Sequence, residues 1–296
     1  MGNQPASSLS VPEVVPFEAG HREGVRALLT SAYGSAAGFE RLETGNPLGT
    51  YLGVCAVRAG RVVGFNIWNP WLVHTPKGPI AVHQSGSSIV DESCRGQGVF
   101  GRLLAVGEAE AKARGIKYFI GFPNPASHGS FVRAGWETVR SMSLLACAVP
   151  ALALRPASRK LERSSTPEWQ FVEWRYARAG ASALDANVGR ERFTVFYSTT
   201  TRRGLKVHRI LDVLDGSGRR DLRKVGQLAA QLPGPGGAYL RASAAQSASL
   251  PALPWVIPMR RTWDTPFIVK VLDRANPAEA DAVRSAVLSY GDIDVG

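Results

Sequence analysis

From Ile89 to Leu104 the chain reads Ile-Val-Asp-Glu-Ser-Cys-Arg-Gly-Gln-Gly-Val-Phe-Gly-Arg-Leu-Leu. An apolar, strand-like run passes into a turn containing Gly96, Gly98 and Gly101, then directly into a helical pattern. In that order successive backbone N–H groups and the positive end of a helix converge on one point, which suits a phosphate. Gly96 and Gly98 permit positive φ and close approach of an anion, and Arg95 and Arg102 add charge-assisted donors. Gln97, Val99 and Phe100 complete the loop. On its own, such a loop is also compatible with an ordinary strand-to-helix turn.

The elements that must hold this loop alternate from Val14 onward. Val14–Phe17 reads as a short strand, Arg22–Ser31 as an amphipathic helix, and Tyr51–Arg58 and Val62–Trp68 as strands joined by the turn Ala59-Gly60. Ile80–Val90 is a long strand feeding the glycine loop, and Arg102–Arg114 is a helix stopped by Gly115. Lys117–Phe122 reads as a buried strand, Ser127–Ala134 as a short helix, and Trp136–Ala148 as a pair of closing strands. Trp68 and Trp71 are expected in the core or a pocket wall.

With this context the loop resembles the acyl-coenzyme A-binding motif of the GNAT N-acetyltransferase superfamily, Gln/Arg-x-x-Gly-x-Gly/Ala. Arg95-x-x-Gly98 matches, and Phe100 departs from the final small residue. The family's second motif is matched by the strand Tyr118–Phe122, Asn124, a short helix and Gly135-Trp136, where Gly-Phe is usual. The resemblance covers residues 14–148. It implies an α/β fold with a mixed sheet, the acyl-coenzyme A N-acyltransferase fold, and acetyl-coenzyme A or another acyl-coenzyme A as co-substrate with no metal. Ile89 and Val90 would face the pantetheine arm, and Asn124 and Ser127 would line its site. The amine attacks the thioester directly, so the protein aligns reactants, removes a proton and stabilises the oxyanion.

The resemblance also implies a Tyr as proton donor to the departing thiolate, where this chain has Phe131. Either the thiolate leaves unassisted, a thiol pKa near 8.5 making it a fair leaving group, or His128 or Ser127 serves. For the general base the expectation is His83, flanked by the small Ala81 and Ser85, in the region where the family places a Glu or His. Either histidine can instead be structural: His83 packed and hydrogen-bonded, His128 exposed at the surface. His74, after Trp71-Leu72-Val73, could line an acceptor pocket but is read as a loop residue.

Residues 1–12 are expected as a loose tail, 13–149 as the acyl-coenzyme A-binding catalytic domain, and 150–168 as a linker rich in Pro, Ser and charge. Residues 169–296 are then a second α/β unit, with strands at Phe193–Tyr197, Leu205–Leu214 and Ala238–Ala242 and helices at Asp221–Leu232 and Pro277–Tyr290. The order strand, strand, helix, strand echoes the first half without a residue-level repeat, giving two GNAT-like domains in tandem, the second non-catalytic.

The 296 residues, 45% hydrophobic and 20% charged, exclude a disordered or fibrous body. The net charge of +11 is concentrated after residue 150, which holds 22 basic and 14 acidic side chains. Three cysteines without a CxxC pair and five scattered histidines supply neither a disulfide framework nor a metal site, and a reducing cytoplasm is expected. No stretch reads as a membrane span. The leading expectation is transfer of an acetyl or acyl group to the amine of a small molecule such as an amino sugar, amino acid or antibiotic. Two alternatives are a transferase using a carrier-protein or transfer-RNA-linked donor, for which the basic second half is the argument, and a non-catalytic acyl-coenzyme A sensor, for which Phe131 is. Binding of nucleic acid is not expected.

Overall fold

The computed structural model describes residues 10–43, 45–149, 166–178, 180–202, 204–233, 236–243, 256–258, 265–289 and 292. Most of the expected tail and linker lies outside these. The linker as read ran too far, however, because Pro167 already opens a helix.

The first half runs β1 (Glu13–Pro16), α1 (Arg22–Tyr33), α2 (Ala37–Leu42), β2 (Leu52–Arg58), β3 (Arg61–Thr75), β4 (Gly78–Val90), α3 (Val99–Ala113), β5 (Tyr118–Gly121), α4 (Pro125–Arg133) and β6 (Glu137–Val149). After it come α5 (Pro167–Arg178), β7 (Ser182–Val188), β8 (Glu191–Arg202), β9 (Leu205–Asp215), α6 (Val225–Ala229), β10 (Gly236–Ser243), β11 (Val256–Pro258), β12 (Thr265–Val271) and α7 (Pro277–Arg284). No described helix is long and apolar enough to cross a membrane.

All twelve strands join one mixed sheet in the order β1-β2-β3-β4-β5-β12-β6-β10-β9-β8-β7, with β11 also against β6. Each half contains an antiparallel pair followed by a helical crossover to a parallel neighbour: β3–β4, α3, β5 and β8–β9, α6, β10. The element order noted in the sequence therefore corresponds to repeated topology. The sheet does not break between the halves. Strand β12 runs antiparallel to β5, while β6 pairs with β12 through residues 137–142 and with β10 through 142–149. The last strand of each half thus completes the sheet of the other.

The core forms where amphipathic faces meet this sheet. Helix α3 buries Val99, Leu103, Leu104, Gly107 and Ala111, a helical spacing that covers β2, β3 and β5. Beneath it Trp68 stacks on Phe119 (centroids 5.1 Å apart), and Phe119 on Trp136 (5.8 Å). Trp68 and Trp71 are both buried, as expected. Strand β3 tolerates Pro70 because β2 pairs only as far as Trp68, so no ladder bond is lost on that side.

Several elements depart from the sequence reading. The two closing strands are one, β6, since residues 137–149 contain no Gly, Pro or Asn to turn the chain. The final helix stops at Arg284 rather than Tyr290. Helix α5 was not anticipated because it is apolar on two sides. Trp169, Val172 and Tyr176 join one cluster and Phe171 another, which blurs the one-faced period.

Candidate functional site

The site begins where β4 and β5 part. Their parallel pairing has only two registered positions, His83 with Phe119 and Gln84 with Ile120. Strand β4 continues to Val90 while β5 ends at Gly121, so a cleft opens between them. Its deep end is a cavity of about 510 Å³ walled by Leu29, Tyr33 and Phe39, by β4 from Gln84 to Ser88, and by Gly121–Asn124, Ser127 and Phe131. A longer groove of about 1380 Å³ shares Tyr33, Ser88, Asn124 and Ser127 with it and leads along Ile89 and Val90 to the glycine loop.

Strand β4 is irregular at this point. Its register against β3 shifts opposite Asn66, and Ser87 takes φ +46°, a left-handed conformation unusual for a residue with a Cβ. Asn66 is fully buried beneath the bulge; its Nδ2 donates to Ser85 Oγ at 3.3 Å, and its Oδ1 accepts from Ser88 Oγ. The Tyr33 hydroxyl donates to the Ser88 carbonyl at 3.0 Å. Partial burial raises the Tyr33 pKa against the opposing influence of Arg95, although the residue is 59% exposed.

The loop after β4 is shaped by Asp91, whose Oδ1 accepts from Ser93 N at 2.9 Å and Ser93 Oγ at 2.6 Å. Those bonds, the hydroxyl's first, hold the Asp91 carboxyl below its usual pKa. Gly96 and Gly98 have φ of +76° and +71°, and nothing lies within 4 Å of where a Cβ would stand. The first N–H of α3 to bond back into the helix is that of Arg102, to Gly98 O at 3.2 Å. Among the described residues, no partner is found for the backbone N–H groups of 96–101, which fan out at the positive end of α3.

The expected site residues sort clearly. Ile89, Val90, Arg95, Gly96, Gly98, Val99, Phe100, Gly101, Asn124 and Ser127 all line the groove, and Phe131 lines the deep cavity. Asn124 caps α4, its Oδ1 accepting from Ser127 N at 3.0 Å. Phe131 packs edge-to-face on Phe100 and Trp136, so no hydroxyl faces the cleft from that position. Gln97 and Arg102 do not line it. Gln97 Nε2 donates back to Ser93 O at 2.9 Å, and Arg102 Nη1 reaches Pro12 O at 2.8 Å, so both side chains brace the loop instead.

The histidines stand apart from both cavities. His83 lines neither cavity; it lies within the paired part of β4, short of the splay. Burial, with a smaller contribution from Arg114, lowers its pKa to about 4. His128 is turned toward β6, its Nε2 2.8 Å from Thr138 Oγ1. His74 is in β3 rather than a loop and is buried.

Among the lining residues that sequence reasoning missed are Tyr33, Gln84 and Arg133. Tyr33 comes from α1 and Gln84 from the last paired step of β4, positions tied to the loop by no motif. Arg133, at the end of α4, gives the groove a second guanidinium opposite Arg95. No metal-binding group of His, Cys, Asp and Glu occurs among the described residues.

No family model and no curated protein matches the sequence. Solved structures do. A GCN5-related N-acetyltransferase from Anabaena variabilis superposes with a TM-score of 0.63 over 88% of this chain and 73% of that one, at 12% identity. The chain has the GNAT N-acetyltransferase fold. An Enterococcus faecalis protein described as a probable N-acyltransferase gives a TM-score of 0.60 over 89% and 73% at 10% identity. A tandem GNAT protein from the clavulanic acid biosynthesis pathway gives 0.50 over 90% and 100% at 15%. The tandem relative agrees with the repeated GNAT topology of the two halves.

Proposed function

We infer that this chain is an acyl-coenzyme A-dependent N-acyltransferase, with its single catalytic cleft between β4 and β5. The observation that carries this reading is the strand splay leading to an unpaired fan of N–H groups at 96–101. Those N–H groups would hold the pyrophosphate, assisted by Arg95 and Arg133, as anions are held at helix N-termini. The backbone of Ser88–Val90 would pair with the pantetheine arm as an added strand, displacing the Tyr33 hydroxyl from the Ser88 carbonyl and Arg95 Nε from the Val90 carbonyl. The thioester would then lie where groove and cavity meet, beside the bulge at Ser87–Ser88, whose backbone is re-aimed toward the cleft.

Among the described residues no carboxylate or imidazole lines the deep cavity. With the described residues alone, the acceptor amine would arrive uncharged or pass its proton to water, and its own pKa would set the rising limb of the pH profile. Tyr33 supplies a hydroxyl at the junction, and turning its O–H from the Ser88 carbonyl to the departing sulfur would assist the thiolate. The test is mass spectrometry of an amine panel incubated with acetyl-coenzyme A and the protein. Acetylated product with equimolar free thiol is expected. Coenzyme A binding without transfer to any amine would reduce the protein to a sensor.

A further inference from the structure

Asn66 lines neither cavity, yet it bonds to the cleft wall at two places. Along β3, Phe65 pairs with Ile89 and Ile67 with Gly86, so Asn66 stands opposite two residues, Ser87 and Ser88. That is a bulge of one extra residue. In a regular strand Ser85 and Ser87 would share a face; the extra residue brings Ser88 to that face instead. The Asn66 amide reaches both serines, its Nδ2 donating to Ser85 Oγ at 3.3 Å and its Oδ1 accepting from Ser88 Oγ. One amide can make this pair of bonds only while the bulge is present.

The bulge needs such a clamp because its backbone is strained. Ser87 has φ +46°, in the left-handed region that a residue with a Cβ rarely adopts. From the cleft side the Tyr33 hydroxyl holds the same stretch through the Ser88 carbonyl. That bond is given up once the pantetheine arm pairs with Ser88–Val90, whereas Asn66 is fully buried behind the strand. Ser85, Gly86, Ser87 and Ser88 all wall the deep cavity, and Ser88 also walls the groove, so the bulge stands where the two meet.

We propose that Asn66 is a positioning residue for acyl transfer: by bonding Ser85 and Ser88 it locks the bulge, and the locked bulge presents a backbone N–H to the thioester carbonyl. This rests on the N-acyltransferase reading. In the reaction the amine nitrogen bonds to the carbonyl carbon and the carbonyl π pair moves onto oxygen, where the N–H stabilises it. Return of that pair breaks the carbon–sulfur bond and expels the thiolate, and the amine's proton passes to water. A hydrogen bond loses its worth quickly when misdirected, so a side chain that never touches the substrate still governs the rate.

The probe is acetyl-coenzyme A isotopically labelled at its carbonyl carbon and followed by carbon NMR on wild-type protein, Asn66→Ala and the double variant Asn66→Ala/Ser87→Gly. A carbonyl that accepts a hydrogen bond is polarised, which moves its resonance downfield. Binding to the wild type should move it downfield of the free thioester. Asn66→Ala should lose most of that shift while acetyl-coenzyme A affinity by calorimetry stays within ~3-fold. Glycine takes a positive φ without a Cβ penalty, so adding Ser87→Gly should restore the shift at least in part. A role confined to filling the sheet would not be repaired by a glycine on the neighbouring strand. Should Asn66→Ala fail to fold, Ser88→Ala, alone and with Ser87→Gly, deletes one of the two bonds and carries the same expectations. An unshifted carbonyl on the wild type, a full shift in the clamp variant, or no recovery with Ser87→Gly would overturn the proposal. Absence of acetyl-coenzyme A binding in the wild type would instead remove the N-acyltransferase reading beneath it.

Discussion

Tyr33 on α1 and Phe131 on α4 both line the deep end of the cleft, and only Tyr33 carries a hydroxyl. A thiolate with a pKa near 8.5 needs modest help to leave, so losing that hydroxyl should cost little more than one hydrogen bond. Tyr33→Phe is expected to lower kcat by about tenfold with acetyl-coenzyme A affinity unchanged; stopped-flow thiol release checks this, and an unaltered kcat would show that sulfur leaves unaided. The residues of the loop were legible in the sequence because glycine positions, flanking strand and helix are local. Tyr33 and Gln84 were not, because they meet the loop only through the parting of two strands far apart in the chain. The strand of His83 was read correctly, but alternation does not say where the neighbouring strand stops, so its place short of the splay was not legible.

At the scale of elements, α3 holds the loop against the sheet through one close approach. A Cβ at Gly107 would fall 2.1 Å from a ring carbon of Trp68, itself fully buried between α3 and Phe119. Alanine would gain about 1 kcal/mol in helix propensity. It would lose about 1–3 kcal/mol to overpacking, because neither ring nor helix backbone can withdraw, and at that distance overpacking wins. Gly107→Ala should therefore lower Tm by several degrees in a thermal melt and weaken coenzyme A binding by tilting the N-terminal end of α3; an equal or higher Tm would show that the helix can shift. Propensity and period located α3 but could not reveal this contact. Nor could they find α5, whose apolar residues face two clusters at once.

At the scale of the molecule, the exchange of final strands makes the halves interdependent. Residues 1–149 alone would leave β5 without β12 and expose the face that Phe267, Ile268 and Val269 cover. That fragment is expected to be insoluble or molten, with poor dispersion in its NMR spectrum; a cooperative melt would contradict the interdependence. A buried ion cluster, Asp292 and Asp212 with Arg220 and Arg175, adds a pH dependence. Burial pushes the Asp292 pKa up, but Arg220 and Arg175 outweigh it and leave it lowered. Asp292 thus stabilises the fold above the ordinary carboxylate pKa of 3.8, an effect lost as pH falls through its lower folded value. Burial, assisted by Arg220, lowers the His74 pKa from 6.5 to about 4. Between those values the unfolded chain binds a proton that the folded one does not, so stability falls with pH by up to about 3 kcal/mol. Tm should decline from pH 7 to pH 4, and His74→Gln should remove about half of that slope, because His83, its pKa likewise lowered to about 4, supplies a similar share; an unchanged slope would place the acid sensitivity elsewhere. Composition and element order disclosed two related halves, but the exchange depends on which edges remain open after folding, and no local pattern encodes that.

The central claim is that the glycine loop and the splayed strands form a coenzyme A site. Gly98→Glu tests it most directly, because φ there is +71° and the space beside it is open, so the change puts strain and a carboxylate where the pyrophosphate would sit. Titration calorimetry with acetyl-coenzyme A should show one site per chain in the wild type and at least ~100-fold weaker binding in Gly98→Glu, equivalent to about 3 kcal/mol, with circular dichroism confirming that the variant is folded. Equal affinity in a folded Gly98→Glu protein, or no binding by the wild type, would contradict the account.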